Sequence, residues 1–211
     1  MLFDIHTHHF PPKFFPVICN LTFGMAEKAL STENNYLFSI GIHPWDVDEY
    51  SEDKISQLKN WLCDKRIIAI GECGLDKYAK ASLSAQEQIF IQQINLSEET
   101  EKPLIIHCVG CFNELLAIRK QFQPKQQWTI HGFRGKSQLA EQLLHADCAL
   151  SFGEKLNEES VRTTPLNRLF VETDESDKTI DEIYRQIAKI KGCVIGDLSA
   201  GKRWFYQITE K

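Results

Sequence analysis

Eight short apolar runs punctuate the chain, and most of the stretches between them carry hydrophobic residues at helical spacing. The runs cover Leu2 to His6, Pro16 to Leu21, Tyr36 to Ile42, Ile67 to Gly71, Leu104 to His107, Trp128 to His131, Cys148 to Phe152 and Leu169 to Thr173. Each is four to seven residues long, the length of a buried strand. Amphipathic periodicity predicts helices over Glu52 to Cys63, Ala85 to Thr100, Phe112 to Phe122, Lys136 to His145 and Thr179 to Lys191. Ser84, just ahead of Gln86 and Glu87, is the expected cap of the second helix. Alternating strands and helices imply a parallel sheet. Eight strands favour its closure into a single-domain (β/α)8 TIM-like barrel over residues 1–211, trimmed relative to the roughly 250 residues typical of that fold. The segment Phe-Pro-Pro-Lys-Phe-Phe after the first run is too short and proline-rich for a helix, so an irregular connection is expected between the first two strands.

Potential metal ligands stand at the ends of these runs. His6 and His8 alternate with Ile5 and Thr7, so on a strand they share one face with Asp4. Glu72 follows the fourth run between glycines, in what reads as a strand-ending loop; there its two oxygens can reach two ions. His107, His131 and Asp174 close three further runs. If the strands form one parallel barrel, their carboxyl ends meet on one face, and these distant residues become a single site. Imidazole and carboxylate ligands suit zinc, manganese or magnesium without deciding among them. His9 breaks the alternation and reads as a loop residue.

Composition narrows the classes. Hydrophobic residues at 43% and charged residues at 25% describe an ordinary globule. No apolar stretch approaches the roughly 20 residues needed to span a bilayer, and the first residues lack a signal-peptide pattern. Seven cysteines without a disulfide-framework spacing point to a reducing compartment, the cytoplasm. Cys108 and Cys111 have redox-motif spacing, but their place directly after His107 favours two reduced thiols. The net charge of −5 argues against a general electrostatic grip on nucleic acid, though bound dications would still attract a phosphate substrate.

Taken together, the landmarks Asp4-Ile-His-Thr-His8, Gly41-Ile-His-Pro44, Ala69-Ile-Gly-Glu-Cys-Gly-Leu-Asp76, Pro103-Leu-Ile-Ile-His107, Ile130-His-Gly-Phe133 and Glu172-Thr-Asp174 resemble, in order, those of the TatD family of metal-dependent hydrolases, within the wider amidohydrolase-like superfamily. The resemblance implies a TIM-like barrel, two divalent metal ions and phosphodiester hydrolysis, with DNA among the substrates of family members. It also implies that His6, His8, Glu72 and Asp174 hold one ion and that Glu72, His107 and His131 hold the other, Glu72 bridging. Asp174 would orient the attacking water or take its proton.

The chain departs from the family pattern in places. Val109 stands where the family usually has an arginine, and Glu175-Ser-Asp-Lys-Thr179 replaces an alanine-proline-tyrosine pattern. Arg134 is therefore the expected phosphate contact, with Lys77 and His43 as further substrate contacts. The four tryptophans are scattered, and the reading for each is core or pocket wall rather than a base-stacking surface. Two other function classes remain open. A C–N or ester hydrolase of the amidohydrolase type would use the same histidines, commonly with a modified lysine where this chain has Glu72. A non-catalytic metal-binding protein would be expected to have lost ligands, and none is lost.

Overall fold

The computed structural model describes residues 2–10, 16–49 and 52–209. Every expected strand is present: β1 (Asp4–Thr7), β2 (Val17–Leu21), β3 (Leu37–Ile40), β4 (Ile67–Asp76), β5 (Leu104–Val109), β6 (Trp128–Ile130), β7 (Cys148–Phe152) and β8 (Leu169–Val171). They lie in chain order in one sheet, and the pairings β1–β2, β3–β4, β4–β5 and β7–β8 are all parallel. The helices are α1 (Phe23–Ser31), α2 (Glu52–Trp61), α3 (Leu83–Thr100), α4 (Phe112–Phe122), α5 (Ser137–His145), α6 (Glu158–Thr163), α7 (Ile180–Lys191) and α8 (Ala200–Thr209). By internal contacts the chain divides into two compact units, 1–19 with 129–211 and 20–128.

In the unit formed by residues 20–128, α3 shows how the sequence pattern becomes architecture. Among its buried positions, Gln86, Ile89, Phe90, Gln93, Ile94 and Ser97 recur at helical spacing, with Leu96 beside them. Two of them are amides that clamp the ends of strands. Gln93 Oε1 accepts from Ile42 N at 2.7 Å, and its Nε2 donates to Ile42 O at 3.1 Å. Gln86 Oε1 accepts from Asp76 N at 2.8 Å, and its Nε2 donates to Asp76 O at 3.0 Å. Each buried amide is thus satisfied by main-chain groups, which fixes the chain just before His43 and at the end of β4.

The expectation that Glu72 lies in a loop is corrected. β4 continues through Glu72 to Asp76, and its pairing with β5 resumes past a bulge, with Cys73 opposite Ile106, Gly74 opposite His107 and Asp76 opposite Val109. The glycines that look like turn punctuation are close-approach positions instead. A Cβ on Gly71 would lie 2.6 Å from Ile105 O, and one on Gly74, where φ is +134°, would collide with His107 O. The α3 cap is Ser82, whose side chain accepts from Ala85 N at 3.2 Å, in place of the expected Ser84. Helices α1, α6 and α8 were not anticipated. Residues 11–15 of the irregular first connection lie outside the described residues.

In the other unit, β1 and β8 are tied edge to edge. Thr7 pairs with Asp174 in a parallel bridge, His8 N donates to Asp174 O at 3.2 Å, and Asp174 N donates to His6 O at 3.0 Å. Behind β1, the buried Tyr184 hydroxyl on α7 donates to Phe3 O at 2.9 Å. Phe205 on α8 packs against Phe3 with ring centroids 5.1 Å apart.

Candidate metal centre

The β1–β8 tie has a direct chemical consequence: it presents two imidazoles to one carboxylate. His6 Nε2 and His8 Nε2 lie 3.8 and 3.7 Å from Asp174 Oδ1, and the two rings are 5.1 Å apart and nearly perpendicular. These separations are too long for hydrogen bonds. They are close to the ~3.4 Å between two ligand atoms each held about 2.1 Å from a tetrahedral ion. His6, His8 and Asp174 therefore form a group that can hold a cation, their ligand atoms all within 4.8 Å of one another. Asp174 reaches this position in a left-handed conformation, φ +55°.

His131, one residue beyond β6, joins the same unit's cluster with its ring 4.5 Å from that of His6. Its Nδ1 is 3.6 Å from Glu172 Oε1, which also accepts from Gly132 N at 2.6 Å. Glu172 is fully buried, and its other oxygen, Oε2, has no hydrogen-bond partner among the described residues. A buried, half-satisfied carboxylate is costly unless positive charge stands by it. Burial pushes the Glu172 carboxyl up, but His131 and His6 outweigh it and hold the group below the usual range. The donor set therefore fits a cation: His131, Glu172 and Asp174 form a second group of suitable geometry. Asp4 does not join the ligands. Its carboxylate accepts from the Thr173 hydroxyl at 2.6 Å, Thr173 N at 3.1 Å and His6 N at 3.2 Å. Burial, opposed by those bonds and assisted by the charge of Glu172, pushes its pKa up to about 7.

In the unit of residues 20–128, Glu72 Oε2 lies 3.4 Å from His43 Nε2 and 3.7 Å from His107 Nδ1. The far nitrogens of the two histidines separate their roles. His107 Nε2 sits 3.0 Å from Asp76 Oδ2, so it carries the proton, and Nδ1, the nitrogen of ligand character, is the one turned toward Glu72. His43 Nδ1 instead accepts from Trp45 N at 3.1 Å, so Nε2 carries the proton in the neutral ring. His43 is thereby a donor toward Glu72. Although His43, Glu72 and His107 cluster within ligand range, proton placement favours the other two as ligands.

Asp76 organises this side. One oxygen takes His107 and, at 2.8 Å, Trp45 Nε1; the other takes Tyr78 N at 2.8 Å. Burial pushes its carboxyl up, but these donors prevail and hold it below the usual range. Asp76 and Glu172 were missed as functional residues. Both lie inside quoted motifs, four residues after Glu72 and two before Asp174, spacings that put each on its ligand's face of an extended strand.

The expected substrate contacts are also placed. Arg134 is exposed and lines a cavity of about 300 Å³ together with Glu154, Lys155, Asp174, Glu175 and Asp177. Ser176 Oγ and Lys178 Nζ engage Glu154 at 2.8 and 3.1 Å, whereas Arg134 makes no hydrogen bond or ion pair with another described residue. Lys77, one residue past β4, is exposed, and its ammonium lies 4.7 Å from the centroid of the Tyr78 ring. Cys108 and Cys111 are unbonded thiols, with burial pushing both up and away from reactivity. Among the described residues, no helix is long and apolar enough to cross a membrane.

Histidines and carboxylates clustered at the strands of a parallel β/α sheet define an α/β protein with candidate metal sites. The family profile described as TatD related DNase matches residues 16–199, and the chain belongs to this family. An uncharacterized metal-dependent hydrolase of Buchnera aphidicola is 31% identical over 70% of this chain and 58% of its own length. The metal-dependent hydrolase YabD of Bacillus subtilis is 30% identical over 67% of this chain and 60% of its own length. The 3'-5' ssDNA/RNA exonuclease TatD of Pantoea ananatis is 32% identical over 71% of this chain and 62% of its own length. The chain thus spans about three-fifths of the length of these curated relatives. The crystal structure of the Escherichia coli TatD homolog YJJV aligns with a TM-score of 0.81 at 17% identity, covering 99% of this chain and 96% of that one. The fold is a TIM-like (β/α)8 barrel.

Proposed function

We propose that this chain is a metal-dependent hydrolase of phosphodiester bonds, deoxyribonuclease-like, with DNA or RNA as substrate. The observation that carries the reading is the split of roles around the histidines. Asp76 takes one nitrogen of His107, Glu172 stands beside His131, and nitrogens remain directed at the carboxylates Glu72 and Asp174. The ligand scheme implied by the family assigns His6, His8, Glu72 and Asp174 to one ion and Glu72, His107 and His131 to the other, with zinc, manganese and magnesium as candidates. Two divalent ions bound there would lower the pKa of water toward the neutral range and offset charge on a phosphoryl group. This chain's own residues do the rest. Asp174 orients the attacking water and accepts its proton. His43 donates through Nε2 to Glu72 and holds that carboxylate in place. Arg134 grips a phosphate oxygen pair in the role of the arginine absent at Val109, and Lys77 adds positive charge.

The test is hydrolysis by protein stripped of metal and reloaded with each ion, against single-stranded DNA, RNA, simple phosphodiesters and cyclic amides, alongside metal analysis. Phosphodiester cleavage that disappears with chelator and returns with metal is expected. In Glu72→Gln, bound metal and activity should fall together with helical content unchanged, and full metal occupancy in that variant would remove Glu72 from the ligands. Turnover of cyclic amides alone would move the chain to the C–N hydrolases.

A further inference from the structure

Trp45 and Tyr78 are the two most exposed aromatic residues among those described, at 63% and 73% of their surface. Single exposed apolar side chains need no explanation, but these two are anchored on one buried carboxylate. The indole Nε1 of Trp45 donates to Asp76 Oδ2 at 2.8 Å, and Tyr78 N donates to Asp76 Oδ1 at 2.8 Å. The polar edge of the indole is used up inward, so what the ring offers solvent is apolar π-surface, held at a fixed angle by the hydrogen bond. Its neighbours are the histidines facing Glu72: His43 is 5.3 Å away and perpendicular, and His107 is 6.4 Å away. The Lys77 ammonium stands over the Tyr78 ring, its aliphatic stem filling the space beside Gly110. Aromatic faces interleaved with a cation beside candidate metal ligands match the alternation of bases and phosphates along a single strand.

We infer that Trp45 is a stacking platform for a nucleobase of the substrate, with Tyr78 and Lys77 extending the contact along the strand. This contrasts with the expectation that Trp45 is core or pocket wall. It rests on the phosphodiester reading and narrows it to nucleic acid. No hydrogen-bond readout of base edges is involved, because the indole N–H is committed to Asp76, so selectivity among the bases should be slight.

The test compares a short single-stranded oligonucleotide with an abasic oligomer of the same length, using metal-loaded wild type, Trp45→Ala and Trp45→Phe. The kcat/KM ratio of intact over abasic substrate should fall about tenfold in Trp45→Ala, the size of one lost base stack. It should stay near the wild-type value in Trp45→Phe, which keeps a ring face but loses the bond to Asp76. A second readout needs no catalysis: oligothymidylate titrated into metal-free wild type should quench tryptophan fluorescence, while the abasic oligomer should not, and Trp45→Phe should lose the quench. Trp128 and Trp204 are buried, and Trp61, half-buried against Phe23, is retained in Trp45→Phe, so a quench lost in that variant belongs to Trp45. An unchanged ratio in Trp45→Ala, or equal losses in the Ala and Phe variants, overturns the platform. If wild type cuts neither substrate, the hydrolase reading fails, and the fluorescence titration alone decides whether bases stack. The same titration decides the matter if Trp45→Ala does not fold.

Discussion

At the scale of single residues, function depends less on which side chains face the candidate ions than on what holds their far sides. His107 and His43 look equivalent beside Glu72, yet the partner of the second nitrogen suits one to bind a metal and the other to donate. Asp76→Asn therefore tests the arrangement. It keeps the volume but removes the charge that makes His107 basic, and an amide cannot accept three donors as the carboxylate does. Metal affinity should drop about 10–100-fold, measured by competition with a chromogenic chelator, with the circular dichroism unchanged. Wild-type affinity in that variant would show that Asp76 does not orient His107. Arg134 belongs to the same scale. Arg134→Ala should raise KM for phosphodiesters about tenfold, the value of one charge-assisted contact, and leave metal content alone. Arg134→Lys should restore only part, since an ammonium cannot make a paired contact. Unaltered kinetics in Arg134→Ala would reject its role.

At the scale of elements, β4 decides whether Glu72 and Asp76 are presented at all. The strand survives two glycines because each lets the neighbouring β5 backbone come closer than any side chain would allow. Gly74→Ala imposes a left-handed strain and a collision with His107 O together. The expected loss is more than about 4 kcal/mol, seen as a collapse of the denaturation midpoint or as insoluble protein. A variant with native stability would mean that the close β4–β5 approach is not required. Helix α3 is the complementary device, spending two interior positions on amides that fasten Ile42 and Asp76. A purely apolar helix face would bury more carbon but remove these four hydrogen bonds to Ile42 and Asp76.

At the scale of the whole molecule, metal binding and folding are linked, since ligands distant in sequence are brought together only in the folded chain. An ion present at 100 times its dissociation constant stabilises the folded state by about 2.7 kcal/mol, which for a chain of this size raises Tm by roughly 5–11 °C. Thermal unfolding with and without chelator should show that shift, and the shift should shrink in Asp76→Asn. An identical Tm with and without metal would indicate no tight site in the folded protein. The sequence by itself determined the alternation of eight strands with helices, and it marked His6, His8, Glu72, His107, His131 and Asp174 as candidate ligands, because buried strands and ligand types leave local marks: apolar runs of fixed length, histidines two apart, an acid after a strand. It left three things open. Glu72 reads as a loop residue because Gly71 and Gly74 mimic turn signals, and only the spacing to β5 shows them as close-approach positions. The tautomers of His43 and His107 depend on Trp45 N and on Asp76, partners that pattern does not reveal. Trp45 reads as core or pocket wall because large aromatics usually are, and only the tertiary structure, by turning its N–H inward to a buried carboxylate, left its face to solvent.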